Sequence, residues 1–289
     1  MSEQKKKKPR IRLLKWIAIL LRCGPRIVFD YFRYMLRYSR HPERYPIQKR
    51  WDALRGTALY VLKSFPMTYR IQHFERFFEF EDPTLLVSNH QSMLDILQLI
   101  GLSKRPLIFV GKESVATTPF LGRCFKLIDG YCLDRHDAKQ AVRLFSKLSK
   151  QMKQEKRSAV IFPEGTRYKG EDKSKTLDFK GGSFKLAQWA KCGILPYAEY
   201  GTFAPLSFHV KEKNYLVEMD FYEPISAEEV ASKSTQELAE SIQERIREEL
   251  PIMQKNYEDY HAQGLHKRKW KNWIKEGIDG RLIVERKKK

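Results

Sequence analysis

Residues 84–110, Thr84-Leu85-Leu86-Val87-Ser88-Asn89-His90-Gln91-Ser92-Met93-Leu94-Asp95 and onward to Leu107-Ile108-Phe109-Val110, hold two short apolar runs on either side of a helical stretch. Runs of three or four apolar residues are too short for a helix and suit buried strands. Met93 to Leu102 between them is long enough to be helical. The alternation continues beyond this stretch. Pro119 to Phe125, the run Leu127 to Leu133, a helix from about Asp137 to Gln154, the strand Ala159-Val160-Ile161-Phe162, a helix from Phe184 to Lys191 and an apolar segment from Ile194 follow in order. Strands interleaved with helices predict an α/β fold around a central, mostly parallel sheet flanked by helices. In such sheets ligands collect at the carboxyl ends of the strands.

Two polar clusters sit at those ends. His90 lies three residues past Val87, with Asp95 one turn into the following helix, and Pro163-Glu164-Gly165-Thr166-Arg167 leaves the strand ending at Phe162. A neutral imidazole can accept a proton near pH 7, and a carboxylate beside it can fix the ring and stabilise its charged form. In the second cluster Pro163 stops the strand and Gly165 allows a tight turn and a close approach to a ligand. Arg167 offers a planar fork for a phosphate, and Glu164 can hold either Arg167 or a ligand hydroxyl.

The charge distribution narrows the kind of partner. The 289 residues carry a formal net charge of +20. Residues 1–40 hold 12 basic and 2 acidic side chains, and residues 265–289 hold 10 and 3, so 17 of the 20 excess charges lie on the two ends. A nucleic-acid-binding protein carries its positive charge along the working groove, and a nearly balanced middle argues against that class. Basic ends on a balanced core suit attachment to an anionic membrane surface. The N-terminal segment fits that role. After Lys5 to Lys8 it is aromatic, basic and amphipathic, with Arg12, Lys15 and Arg22 on one edge of a first helix. Gly24-Pro25 then interrupts, and a second helix carries Arg26, Arg33, Arg37 and Arg40. Neither piece has the 18 or so apolar residues needed to span a bilayer, so the expected placement is interfacial.

The expected organisation is therefore a basic amphipathic helical segment over residues 1–45, an α/β domain over 46–260 and a basic aromatic tail over 261–289 with Trp270 and Trp273. Leu238, Ile242 and Ile246 mark a packing stripe on a long C-terminal helix ending at Pro251, after a cap-like Ser226-Ala227-Glu228-Glu229. Cys23, Cys124, Cys132 and Cys192 lack metal-site spacing and are expected to be free thiols.

Taken together, Asn89-His90 with Asp95, Gly111-Lys112-Glu113 ahead of Pro119-Phe120-Leu121-Gly122, Gly130-Tyr131-Cys132-Leu133-Asp134-Arg135, and Phe162-Pro163-Glu164-Gly165-Thr166-Arg167 resemble the glycerolipid acyltransferase superfamily. The likeness is greatest to its PlsC-like 1-acylglycerol-3-phosphate acyltransferases. Phe179-Lys180-Gly181-Gly182-Ser183 and Ile194-Leu195-Pro196 extend it, so that it covers roughly residues 84–200. The likeness thins at Tyr197-Ala198-Glu199-Tyr200, where the family usually has small and β-branched residues. This departure bears on acceptor or acyl-chain preference.

The resemblance implies transfer of a fatty acyl group from an acyl thioester to the sn-2 hydroxyl of lysophosphatidic acid, giving phosphatidic acid for phospholipid biosynthesis. It implies His90 and Asp95 as catalytic residues, and an acceptor phosphate held by Lys112, Arg135, Glu164, Gly165, Thr166 and Arg167. It implies no metal and no cofactor, only acyl-CoA or acyl carrier protein as the thioester co-substrate. The expected location is peripheral, on the cytoplasmic face of the cell membrane, with lysophospholipid and anionic lipids as partners and no nucleic acid. Three alternatives stand beside this reading: an acyltransferase using another glycerophosphate or lysophospholipid acceptor, a basic nucleic-acid-binding protein, which the balanced middle of the chain opposes, and a soluble His/Asp hydrolase.

Overall fold

The computed structural model describes residues 13–80, 83–134 and 137–267. The Lys5 to Lys8 run, Arg12, Arg135 and the tail with Trp270 and Trp273 lie outside the described residues. Seven strands, β1 (Met67–Gln72), β2 (Thr84–Val87), β3 (Ile108–Lys112), β4 (Tyr131–Leu133), β5 (Ala159–Ile161), β6 (Gly193–Tyr200) and β7 (Tyr215–Phe221), form one sheet in the order β1-β7-β6-β2-β5-β3-β4. All pairings are parallel except β6 with β7. The mostly parallel α/β sheet expected from the alternation is present.

β2 lies near the middle of the sheet, and each of its four residues is buried. Its register sets Val87 beside Ile161 of β5 and beside Pro196 of β6. The loops after β2 and β5, some seventy residues apart in the chain, therefore leave neighbouring parallel strands at the same end. One core layer packs the helices Ala138–Glu155, Lys185–Ala190 and Thr235–Ala262 on one face of the sheet, through Leu148, Met152, Leu186, Leu238, Ile242 and Ile246. The opposite layer contains Trp51 and Leu54 of the helix Ile47–Ser64, Leu99 of Leu94–Leu102, and Leu127. All four cysteines are free.

Three expectations change. The first helix runs unbroken through Gly24-Pro25 from Leu13 to Asp30, and a π-helical turn, Tyr31–Met35, leads into Leu36–Arg40. Proline removes one N–H from the ladder, but tertiary packing holds the segment on either side of it. Tyr60 Oη donates to Arg22 O at 3.2 Å, Arg22 Nη1 donates to Ser64 O at 3.1 Å, and Cys23 is buried. Lys15 is not on a solvent edge: its buried ammonium donates to the carbonyls of Ser207 and Val210 at 3.0 and 2.7 Å. The C-terminal helix likewise passes through Pro251 and extends to Ala262, because Met253 and Tyr260 beyond the proline are buried in the fold. Its N-terminus carries a full capping box at Ser234 and Glu237, while Ser226 caps the short helix before it.

One face of the N-terminal segment has no cover among the described residues. Leu14, Leu21 and Phe32 are 76%, 73% and 68% exposed, whereas Cys23 and Met35 on the other side are 4% and 0%. No helix among the described residues is long and apolar enough to cross a membrane.

Candidate active site

The loop after β2 puts His90 at the carboxyl end of the sheet, where its ring stacks on Phe162 with centroids 4.3 Å apart. His90 Nδ1 lies 2.7 Å from Asp95 Oδ2. That oxygen also accepts the backbone N–H groups of Gln91 and Ser92 at 2.7 and 2.8 Å. The five-residue separation is what makes this possible: the loop turns back just before the helix Leu94–Leu102, so Asp95 in its first turn meets both the ring and the loop's own amides. With its three N–H donors Asp95 Oδ2 is a pure acceptor, so Nδ1 carries the ring proton and Nε2 keeps the free lone pair. Burial opposes ionisation of Asp95. The hydrogen bond and charge of His90, with smaller contributions from Glu199 and Thr202, nevertheless hold its carboxyl below the usual carboxylate range.

Glu164 has a different role from either one expected. It is 3% exposed, and among the described residues no ion pair joins it to Arg167. Its Oε1 accepts the His90 backbone N–H and its Oε2 accepts the Leu177 N–H, each at 2.7 Å. Glu164 thus ties the loop after β5 to the histidine loop and to the segment ahead of the next helix. Burial pushes its carboxyl up to about 7 in spite of those two donors. A second tie, Tyr168 N donating to His90 O at 3.1 Å, locks the two loops together.

Above this floor opens a cleft of about 710 Å³. His90, Lys112, Gly165, Thr166 and Arg167 all line it, so five of the eight residues singled out from sequence converge there. Asp95 and Glu164 lie buried behind, and Arg135 is outside the described residues. Apolar side chains, Met93, Ile96, Val115, Phe125 and Phe145, also line the cleft.

Sequence reasoning missed Lys180, which also lines the cleft. Gly165 has φ +71°, and a Cβ there would sit 3.2 Å from Lys180 Nζ, so the missing side chain leaves space for the lysine amine above the turn. The signal available was the Phe179-Lys180-Gly181-Gly182 run. Among the described residues, none of Lys112, Arg167 and Lys180 is ion-paired to a carboxylate, and all three are exposed. A buried acid–base pair beneath unpaired cations and an apolar wall can bind a phosphorylated amphiphile and take a proton from it.

Similarity to known proteins agrees with this chemistry. A family model described as Acyltransferase matches residues 68–199. The 1-acyl-sn-glycerol-3-phosphate acyltransferase of Saccharomyces cerevisiae is 31% identical over 166 residues, 57% of this chain and 54% of the yeast protein. The enzyme of that name from Helicobacter pylori is 32% identical over 170 residues, 57% of this chain and 67% of its own length. The crystal structure of the 1-acyl-sn-glycerophosphate acyltransferase PlsC from Thermotoga maritima superposes with a TM-score of 0.65, over 84% of this chain and 95% of that one. At 21% identity this supports the common fold. By these matches the chain belongs to the family of 1-acyl-sn-glycerol-3-phosphate acyltransferases.

Proposed function

We propose that this protein transfers a fatty acyl group from an acyl thioester to the sn-2 hydroxyl of 1-acyl-sn-glycerol 3-phosphate, forming phosphatidic acid. The observation that carries the proposal is the meeting, in one cleft, of a histidine with a free Nε2 and of cations that have no carboxylate partner among the described residues.

His90 Nε2 takes the proton of the sn-2 hydroxyl as its oxygen attacks the thioester carbonyl carbon. A C–O bond forms, the carbonyl oxygen becomes an oxyanion, and the C–S bond breaks as the tetrahedral centre collapses. The imidazolium then returns its proton to the departing thiolate. Asp95 keeps the ring in the Nδ1–H tautomer and stabilises the imidazolium between the two transfers. The acceptor alcohol attacks directly, so no acyl-enzyme is needed.

Arg167 and Lys112, with Lys180, hold the acceptor phosphate, and Gly165 and Thr166 bring backbone close to it. The glycerol then spans from the phosphate to His90, and the apolar wall receives an acyl chain. The donor is an acyl-CoA or an acyl carrier protein, whose phosphates suit the same basic rim. The exposed apolar face of the helix Leu13–Asp30 rests in the headgroup region on the cytoplasmic side of the membrane, where the acceptor lipid resides.

The test is phosphatidate formation by the purified protein from an acyl thioester and lysophosphatidate. His90→Ala is expected to lower kcat by at least about 10³-fold with the fold intact by circular dichroism. Undiminished turnover in that variant refutes the mechanism.

A further inference from the structure

Behind the His90–Asp95 pair is a second carboxyl group that the proposed reaction does not use. Glu199 is on β6, the parallel neighbour of β2 on the side away from β5, and it is 0% exposed. Its backbone is clamped to the histidine loop: Asn89 Nδ2 donates to Glu199 O at 2.9 Å, and Glu199 N donates to Asn89 Oδ1 at 3.0 Å. Its Oε2 accepts the Gln98 amide at 2.6 Å. Its Oε1 has no partner, and neither has Asp95 Oδ1. Polar atoms of His90, Asp95 and Glu199 lie within 4.8 Å of one another.

Two orphaned carboxyl oxygens side by side, away from water, present a clear choice. As two anions they would repel at close range with nothing between them, and buried like charges at such separations cannot both persist. One proton resolves both deficits, because a neutral carboxylic acid can donate to the free oxygen of its neighbour. A cation held by the three groups is less well accommodated. Asp95 Oδ2 already takes three N–H donors, Glu199 Oε2 takes Gln98, and His90 Nδ1 is engaged by Asp95.

We propose that Glu199 is a permanently neutral carboxylic acid that donates its proton to Asp95 Oδ1, making a His90–Asp95–Glu199 chain in which Asp95 is the single anion. Its role rests on the acyl-transfer reading: Glu199 is a positioning residue that tunes the base through Asp95. Asp95, with charge drawn off through Oδ1, stabilises the imidazolium less strongly. Burial, followed by the charge of Asp95, raises the Glu199 carboxyl well above the ordinary range, in keeping with the neutral form. The other titratable groups that face the cluster are Glu164, from the loop after β5, and the phenols of Tyr197 on β6 and Tyr69 on β1. The buried Thr202 hydroxyl also lies near the cluster and, like Asp95 Oδ1 and Glu199 Oε1, has no hydrogen-bond partner among the described residues.

The experiment compares full-length wild type, Glu199→Gln and Glu199→Met. The His90 ring is titrated by NMR on histidine-labelled protein, with the signal assigned by its loss in His90→Ala, and kcat/KM is measured against pH. In Glu199→Gln the carboxamide can accept from Gln98 and donate to Asp95. The His90 midpoint and the acidic limb are therefore expected within a few tenths of a pH unit of wild type. In Glu199→Met the donor is lost, Asp95 holds the imidazolium more strongly, and both are expected to move up by about one unit. A downward move of a unit in Glu199→Gln would mean that Glu199 is an anion, and an unmoved midpoint in Glu199→Met would mean that it does not act on His90. Either result overturns the proposal. If the Met variant does not fold, infrared difference spectra decide: a protonated-carboxyl band at neutral pH that vanishes in Glu199→Gln supports the neutral acid, and its absence from wild type excludes it. The ring titration needs no turnover, so wild type that makes no phosphatidate would sink the acyl-transfer reading while leaving the Glu199 result readable.

Discussion

The floor and the rim of the cleft are built on opposite principles. At the floor, Asp95 and Glu164 are buried, and the oxygens they turn toward the histidine loop are taken up by protein N–H groups. At the rim, Lys112, Arg167 and Lys180 extend into solvent with no carboxylate partner among the described residues. A buried carboxylate must be satisfied by the fold itself, since an unpaired charge there is costly. An exposed cation can wait for its ligand. The floor is thus pre-organised for a proton, and the rim for a phosphate that supplies the missing charge. Mutations at the floor should therefore change turnover, and mutations at the rim should change affinity.

The largest effect is expected for Asp95→Asn. The carboxamide cannot accept from all three N–H donors and fix the Nδ1–H tautomer, so kcat should fall by about 10³–10⁴-fold while the acceptor KM stays within a few-fold. Steady-state kinetics at saturating thioester check this. A loss carried mainly by KM would erase the distinction between floor and rim.

Arg167→Ala should do the reverse and with a smaller amplitude. The acceptor KM is expected to rise by about 10- to 100-fold, the scale of one charge-assisted phosphate contact, with kcat within a few-fold. Because the contact is exposed, its contribution should weaken as salt is raised, so the wild-type and variant KM values should converge at high ionic strength. A kcat loss matching that of Asp95→Asn would place Arg167 at the reacting atoms and sharpen the site map accordingly.

The same contrast explains what could be read from the residues alone. The floor was legible as a pair because His90 and Asp95 are local in sequence, and one loop and one helical turn bring them together. The rim was legible at Gly165, Thr166 and Arg167 because they directly follow the apolar run that forms β5, and at Lys112 through the family resemblance of Gly111-Lys112-Glu113. Glu164 was misassigned because its partners are backbone N–H groups, which carry no residue signature. Glu199 was passed over as a partner of Asp95 because it lies 104 residues away and meets it only through the β2–β6 pairing. β1 and β7, at one side of the sheet, were missed for a related reason. Met67–Gln72 and Tyr215–Phe221 mix polar with apolar residues, and buried polar groups such as Glu218, paired with Arg70 at 2.8 Å, hide the strand pattern. Gly24-Pro25 and Pro251 looked like breaks because local propensity favours breaks there, and tertiary contacts override it.

The smallest effect should come from outside the cleft. Leu20 and Leu21 project from the N-terminal helix, 65% and 73% exposed, on a segment whose other side is anchored by Lys15 and Arg22. Exposed leucines on a held helix cost little to remove from the fold, so Leu20→Ser with Leu21→Ser should leave thermal stability almost unchanged. Each loses apolar area that would enter only the headgroup boundary. Association with anionic vesicles, measured by co-sedimentation, should therefore weaken by about 10-fold. Turnover of acceptor dispersed as detergent monomers should be unaffected, because both floor and rim remain intact. Equal losses on vesicles and on monomers would mean that this helix shapes the cleft as well as carrying the protein to its lipid.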